Sequence, residues 1–317
     1  MIKGYAGSYA SEQSQCLIQF CFDETTKQFI KRKELPGFED AKYLSYVNKK
    51  LAAVCRRNAA GITLWDISCD KTMTHLSETK TSCFITQDDS YIYTANYHEG
   101  TISVYKKVQD LPLIKRIYIQ EAAGCHQVLL LENYLLVPCL LLDAIYVFDR
   151  RKDFACVHIL PFPAHSGPRH GVFTKNKYLY VVSELSNELF MCHMNEKMQG
   201  NVQVVQKLWD TQNQKAAAAA IRIDAQEKFL YITLREVNQI IVFDRKAKRI
   251  VQRLSTMGDH PRDMQLSKDG RFVFVIHRFS HDIRVFERDE KSGLLQPLRA
   301  KLHVQEGVCI VFEQEES

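Results

Sequence analysis

The sequence predicts an all-β protein: a seven-bladed β-propeller with four-stranded antiparallel blades. Three observations predict it. One two-strand pattern recurs six times, helical periodicity is almost absent, and the two chain ends carry complementary pieces of one more blade. The pattern is an aromatic residue or leucine, a short apolar run, a few polar residues, then alternating apolar residues that end in most copies on an aromatic. The copies are LAAVCRRNAAGITLW (51–65), YIYTANYHEGTISVY (91–105), YLLVPCLLLDAIYVF (134–148), YLYVVSELSNELFMC (178–192), FLYITLREVNQIIVF (229–243) and FVFVIHRFSHDIRVF (272–286). Their last residues are 40, 43, 44, 51 and 43 positions apart. Repeats of about 40–50 residues made of short strands mark a propeller, each copy being one blade.

The first element, GYAGSYASEQSQCLIQFCFD (4–23), resembles the outer part of a blade, and EGVCIVFEQ (306–314) resembles an opening strand. Pairing of the N- and C-terminal segments closes the ring and removes the free sheet edges. Dividing 317 residues by seven gives about 45 per blade, within the range of such repeats. The longest interval contains KLWDTQNQKAAAAA (207–220), read as a longer loop. Ala216 to Ala220 favour helix by propensity. They run directly into Ile221-Arg222-Ile223, which alternates as a strand does, so the alanines are read as a closely packed approach to an inner strand. A short helical turn is the alternative. No Gly/Ser linker or low-complexity segment divides residues 1–317, so a single domain is expected.

Composition narrows the function. Hydrophobic residues make up 46% and charged residues 25%, ordinary for a globular protein. The net charge is +5 with no block of five like charges, which argues against a nucleic-acid tail and is compatible with a small anionic ligand. No run of 18 apolar residues exists to cross a membrane as a helix. The segment MIKGYAGSYASEQSQ has no apolar core for export. Ten cysteines occur without a CxxC pair, and Cys21, Cys55, Cys83, Cys139, Cys192 and Cys309 lie in apolar runs, as small buried hydrophobes do. Unpaired thiols without an export signal point to the cytoplasm. Cys125, beside His126, is read as a strand-start cysteine in preference to a catalytic Cys-His pair.

The chemistry concentrates in GPRHGVFTKNKYLYVVSELSNELFMC (167–192). Arg169 and His170 precede one strand, Glu184 ends the next, and the turn Lys175-Asn176-Lys177 joins the two. A hairpin starts and ends on one side, so these three groups meet at one rim. The seventh residue of each copy repeats that placement as Arg57, Tyr97, Leu140, Glu184, Arg235 and Arg278. Equivalent positions lie around one ring, which makes a cationic funnel with a single carboxylate. Strand ends reaching water are the plainer account of the same residues. His126 in GCHQV, Arg169-His170 in GPRHGV and Arg262-Asp263 in HPRDMQL precede their ring residues by similar spacings: His126 and His170 by 14, Asp263 by 15. A structural histidine bonded to a neighbouring blade is an equal reading for His126. The proline before each arginine stiffens its approach. A convergent polar cluster in a channel is the default candidate site.

GPRH, SEL, AAAI with FLYITLR, PRD with DGRF, and TANYHEGTISVY together resemble the seven-bladed lactonase family. That family comprises the propeller-type bacterial 6-phosphogluconolactonases and, among their relatives, a fungal carboxymuconate-cyclising enzyme. The resemblance covers nearly the whole chain and is stronger over 90–290 than at the ends. It implies hydrolysis of 6-phospho-D-glucono-1,5-lactone, a pentose phosphate pathway step, with no cofactor and no metal. It implies a catalytic set of His126, Arg169, Glu184 and Arg235; from the ring and strand-start positions, Arg57, Tyr97, His170, Arg262 and Arg278 are the substrate-binding candidates. The chain departs from the family pattern at Leu234, Ser183, Leu140-Leu141-Leu142 and EGVCI. In this reading His126 or Glu184 activates water, Arg169 steadies the oxyanion, and Arg235, with Arg57 or Arg278, holds the phosphate. One carboxylate among cations is a poor calcium site. Two alternatives stand beside it: a non-catalytic propeller that binds a sugar phosphate or a protein, and a cyclase or lactonase for a carboxylated lactone. At the ends of the six copies Trp65-Asp66 is the one Trp-Asp pair, so the WD-repeat signature does not recur with the period.

Overall fold

A computed structural model describes residues 1–9, 17–210 and 215–313. Parts of three expected segments, 4–23, 207–220 and 306–314, therefore lie outside the described residues, as does Cys16. Seven four-stranded antiparallel sheets follow one another around an axis. Blade 1 joins the chain ends: Gly307–Phe312 is its inner strand, followed outward by Ile2–Ser8, Leu17–Asp23 and Gln28–Leu35. Blade 2 runs from Leu44–Val47 to Lys71–Glu78, blade 3 from Phe84–Gln87 to Leu113–Tyr118, and blade 4 from Leu129–Leu131 to Ala155–Pro161. Blades 5, 6 and 7 begin with the inner strands Pro168–Phe173, Ala217–Ile223 and Pro261–Leu266. Ala217 to Ala220 are strand, as the alternation beyond them requires, and the only helical pieces among the described residues are two three-residue 3₁₀ turns.

The repeat forms blades because each second strand is apolar on both sides. Phe229–Arg235 and Phe272–His277 are buried at every position. Such a strand has to be covered on both faces, and a ring of sheets covers it twice. The seven core clusters accordingly lie between neighbouring blades. Leu136, Val147, Val181 and Phe190 pack blade 4 on blade 5, and Val182, Leu189, Ile232 and Ile241 pack blade 5 on blade 6.

The closing seam is aromatic. Phe20 and Phe22 of blade 1 meet Phe274 of blade 7 at centroid separations of 6.2 and 5.2 Å, and Phe312 lies 5.0 Å from the same ring. Backbone pairing of Gly4 to Phe312 and Ala6 to Ile310 supplies the hydrogen bonds of the seam. Phe274→Ala leaves a cavity at this junction and is expected to cost about 3–5 kcal/mol. Urea unfolding measures it, and a loss below about 1 kcal/mol would show that the seam does not depend on this ring.

Candidate active site

Backbone geometry builds the rim at which the second strands end. In four blades the residue after the second strand donates its N–H to a residue just before the inner strand that has positive φ. The pairs are Tyr9 to Glu306 (3.2 Å), Leu140 to Gly124 (3.0 Å), Glu184 to Gly167 (2.8 Å) and Arg278 to His260 (3.1 Å). The acceptors have φ of 44°, 72°, 66° and 62°. Two are glycine, as that region favours. His260 and Glu306 hold the same conformation without that ease, a cost of about 1–3 kcal/mol tolerated mostly where a side chain is useful.

The inner strands then carry a bulge at one level. Pairing slips by one residue between Pro168 and His170, between Pro261 and Asp263, and between Ala218 and Ile221. Arg169 and Arg262 are thus the residues passed over by the ladder, which re-aims their side chains. In blade 4, Cys125 faces Cys139 as Pro168 faces Ser183, so His126 corresponds to Arg169. Equal counts from the rim had aligned His126 with His170. They misplace it because the blade 5 hairpin is one residue longer than that of blade 4. Arg169 and His170 also lie inside the strand rather than ahead of it.

Glu184 is the hub. Its Oε2 lies 2.8 Å from Nε of Arg169 and 2.7 Å from Nη2 of Arg235, whose side chains are 2% and 8% exposed against 23% for the glutamate. Burial pushes the Glu184 carboxyl up, but Arg169 and then Arg235 outweigh it and hold it below the usual carboxylate range. Burial, then the neighbouring Arg235, pushes Arg169 down to about 10, still cationic at neutral pH. Arg169 also donates through Nη1 to the carbonyl of Ala219, one of the two residues in the blade 6 bulge.

His126 Nδ1 and His170 Nε2 are 3.2 Å apart and both rings are buried. Burial, then the charge of Arg169, holds both imidazoles well below their usual range, so both are neutral at pH 7. The bond to His170 leaves Nε2 of His126 as the nitrogen able to meet a ligand. His170 Nδ1 is buried without a hydrogen-bond partner among the described residues. Tyr97 stands edge-on to His126 at 6.0 Å, and burial, then Glu184, raises its phenol. Cys125 is turned into the core, its sulfur 3.8 Å from that of Cys139.

The structure thus brings together His126, Arg169, His170, Glu184, Arg235 and Tyr97. Arg262 belongs to the same electrostatic group, since its charge acts on Arg169, His126 and Glu184. Arg278 lies beside Glu306 at 3.4 Å. Arg57 is not drawn in: it is exposed and donates to the carbonyl of Gly37 at 3.1 Å. Asp263, level with His170, is buried and ion-paired to Arg222 at 2.6 Å. Below that level the inner strands line a cavity of about 510 Å³, where Arg222 is held by Asp263 and Gln265.

Sequence reasoning missed three residues. Tyr9 is the rim residue of blade 1, hidden because that blade is split between the chain ends. Lys42 precedes the blade 2 inner strand and acts on Cys83 together with Arg169 and Arg262. His260 is buried, its imidazole pushed down to about 3 by burial and then by Arg235, Arg262 and Arg278. The signal for it is the match of HPRD to GPRH, which sets His260 in the slot of Gly167. Among the described residues no group of three or more His, Cys, Asp and Glu is placed to hold a metal ion. No helix among them is long and apolar enough to cross a membrane.

Comparison with known proteins supplies the family. Residues 3–312 match the family described as lactonase, 7-bladed beta-propeller. The chain is 26% identical to a 6-phosphogluconolactonase of Bacillus subtilis over 346 aligned positions, covering 98% of this chain and 97% of that one. A crystal structure of a protein from Lactobacillus plantarum superposes with a TM-score of 0.91 at 27% identity, over 99% of this chain and 100% of that one. The periplasmic gluconolactonase of Pseudomonas aeruginosa shares the fold, with a TM-score of 0.85 at 22% identity, over 98% and 99% of the two chains. The chain belongs to the lactonase family of seven-bladed β-propellers and is a lactone hydrolase.

Proposed function

We propose that this chain hydrolyses 6-phospho-D-glucono-1,5-lactone to 6-phosphogluconate, without a metal ion, at the rim formed by His126, Arg169, Glu184 and Arg235. The observation that carries the reading is one ionised carboxylate held between two buried guanidiniums. Hydrolysis of a cyclic ester needs a base for water and a positive field for the oxyanion. Glu184 takes a proton as the water oxygen bonds to the lactone carbonyl carbon. Negative charge leaves the carboxylate and appears on the carbonyl oxygen, and both positions face Arg169 and Arg235. The guanidiniums keep an anionic partner throughout, so little reorganisation is required. The C–O bond to the ring oxygen then breaks, and the proton on Glu184 passes to that oxygen as it becomes a hydroxyl.

His126 suits the base role less well. Protonating it would create an imidazolium beside Arg169 and Arg262. Its role here is to hold the substrate through Nε2, with His170 fixing the ring. Metal independence is supported by the donor set, in which Glu184 is the one carboxylate and is already taken by the guanidiniums of Arg169 and Arg235. The name of the Bacillus subtilis relative supports the phosphorylated substrate, and with it a place in the pentose phosphate pathway. The nine free cysteines among the described residues support a reducing, cytoplasmic setting.

The test is turnover of freshly made 6-phospho-D-glucono-1,5-lactone above its spontaneous hydrolysis, with and without chelator. Acceleration that survives the chelator is expected. Loss of rate on chelation would overturn the metal-free clause, and no acceleration would overturn the substrate.

A further inference from the structure

The rim carries more cation than its reacting group uses. Glu184 accounts for Arg169 and Arg235, yet a second set of cations gathers on the other arc of the ring. Lys42, Arg262 and Arg278 all lie over the ring of Tyr9, at 5.6, 5.8 and 4.4 Å from its centroid. They come from blades 2 and 7, and Tyr9 from blade 1 between them. Glu184, Arg169 and Arg235 come from blades 5 and 6. In a ring of seven, blade 5 faces the junction of blades 1 and 2, so the two sets confront each other across the axis.

Among the described residues the second set is under-neutralised. Arg262 has no carboxylate within ion-pair distance among the described residues. Arg278 reaches Glu306 only at 3.4 Å, and Lys42 reaches Asp40 only at 4.0 Å. Asp40 is further engaged by the hydroxyl of Thr81 at 2.6 Å. Nε of Arg278 is buried without a hydrogen-bond partner among the described residues. Holding three like charges around one ring is unfavourable unless something anionic joins them. The tyrosine face offsets part of that repulsion and keeps the cations at one height. His260 flanks the set, neutral and tilted against Phe279 at 4.4 Å, so it adds a polar edge without a fourth charge.

We infer that Lys42, Arg262 and Arg278, gathered around Tyr9, form an anion subsite that binds the phosphate of the substrate on the opposite arc from the reacting carbonyl. The inference rests on the lactonase reading for which end of the substrate it holds. A six-carbon lactone with its phosphate on the far carbon spans the axis, its carbonyl at Glu184 and its dianion at Arg262. The subsite then selects phosphorylated over plain lactones, because a neutral hydroxymethyl group there leaves the cations uncompensated.

The experiment compares kcat/KM for 6-phospho-D-glucono-1,5-lactone with that for glucono-1,5-lactone in the wild type, Arg262→Ala, Arg262→Lys and Lys42→Ala. The ratio of the two values is expected to fall about 10- to 100-fold in Arg262→Ala. A smaller fall is expected in Lys42→Ala, and Arg262→Lys should recover part of the ratio. Calorimetric binding of inorganic phosphate to the wild type is the second readout, and it should weaken in both alanine variants. Equal losses on both lactones, with phosphate binding unchanged, would overturn the subsite and leave the lactonase reading standing. If neither lactone is hydrolysed but phosphate binds and the alanine variants lose it, the subsite stands and the proposed reaction falls. A variant that has lost its fold loses phosphate binding and both activities together, and Arg262→Lys then decides: it must keep the ratio within a few-fold of wild type, or the inference fails.

Discussion

Glu184→Gln is expected to lower kcat on the phosphorylated lactone by about 10²- to 10⁴-fold while KM stays level or falls. The substitution keeps the shape and one acceptor but removes the charge that takes the proton. It also removes the anion that Arg169 and Arg235 share, leaving the two to face the channel without it. An anionic substrate meets a more positive field, so binding does not weaken while chemistry does. A rise in KM with kcat unchanged would mean that Glu184 only positions the arginines, and the base would have to be sought elsewhere. Glu184→Asp provides the intermediate case, because charge is retained but withdrawn by one methylene. Loss of the carboxylate from a buried pair also lowers stability, by about 3–5 kcal/mol, so kcat is read well below the unfolding temperature. The pH dependence separates the candidates for the base. With Glu184 held below its usual range and His126 neutral, kcat, which reports the bound complex, should be level between about pH 5.5 and 8. A limb centred near 6.5 would assign the base to a histidine in ordinary surroundings, contrary to what burial and Arg169 impose.

The hub of this site was legible because propellers repeat. A polar residue at the same offset after five of six apolar strands identifies a rim, and Glu184 and Arg235 were read from it directly. Arg169 was read from its place before the strand, although the reason it points inward is the bulge. Bulges and hairpin lengths leave weak marks in sequence, so one extra residue in blade 5 was enough to align His126 with the wrong partner. Arg57 shows the converse error. Its offset is right, but its exposed guanidinium is taken by the carbonyl of Gly37. Tyr9 was missed because blade 1 is assembled from both chain ends and no repeat of the pattern marks it, and Lys42 because it precedes the blade 2 inner strand, ahead of the copy that begins at residue 51. His260 was visible in principle. HPRD aligns with GPRH, and a histidine in a slot that elsewhere takes glycine at positive φ is a strained position. Strain of that kind is read from a backbone angle, which the sequence does not display.

Acid should unfold this protein well above the range in which carboxylates titrate. Three buried imidazoles at the channel, His126, His170 and His260, are each held below their usual range by burial first and by neighbouring arginines second. The unfolded chain protonates them near pH 6.5. A group whose folded pKa is depressed stabilises the fold above its unfolded pKa and loses that contribution as pH falls. For these histidines the loss begins near 6.5 and continues downward, through about 3 for His260. Each removes about 1.4 kcal/mol per pH unit below 6.5. Between pH 7.5 and 5.5 the three together are expected to lower the free energy of unfolding by about 4 kcal/mol. Urea denaturation at the two values measures it. His260→Asn removes one of the three and should reduce the difference by about a third. Stability level across this interval would mean that the channel accepts protons without cost, through water or through Glu184, and that the imidazoles are not held neutral by the arginines. Activity gives the cross-check: between pH 7.5 and 5.5 the rate per folded molecule should stay level while the folded state weakens, because the groups that destabilise the fold are not the group that takes the proton from water.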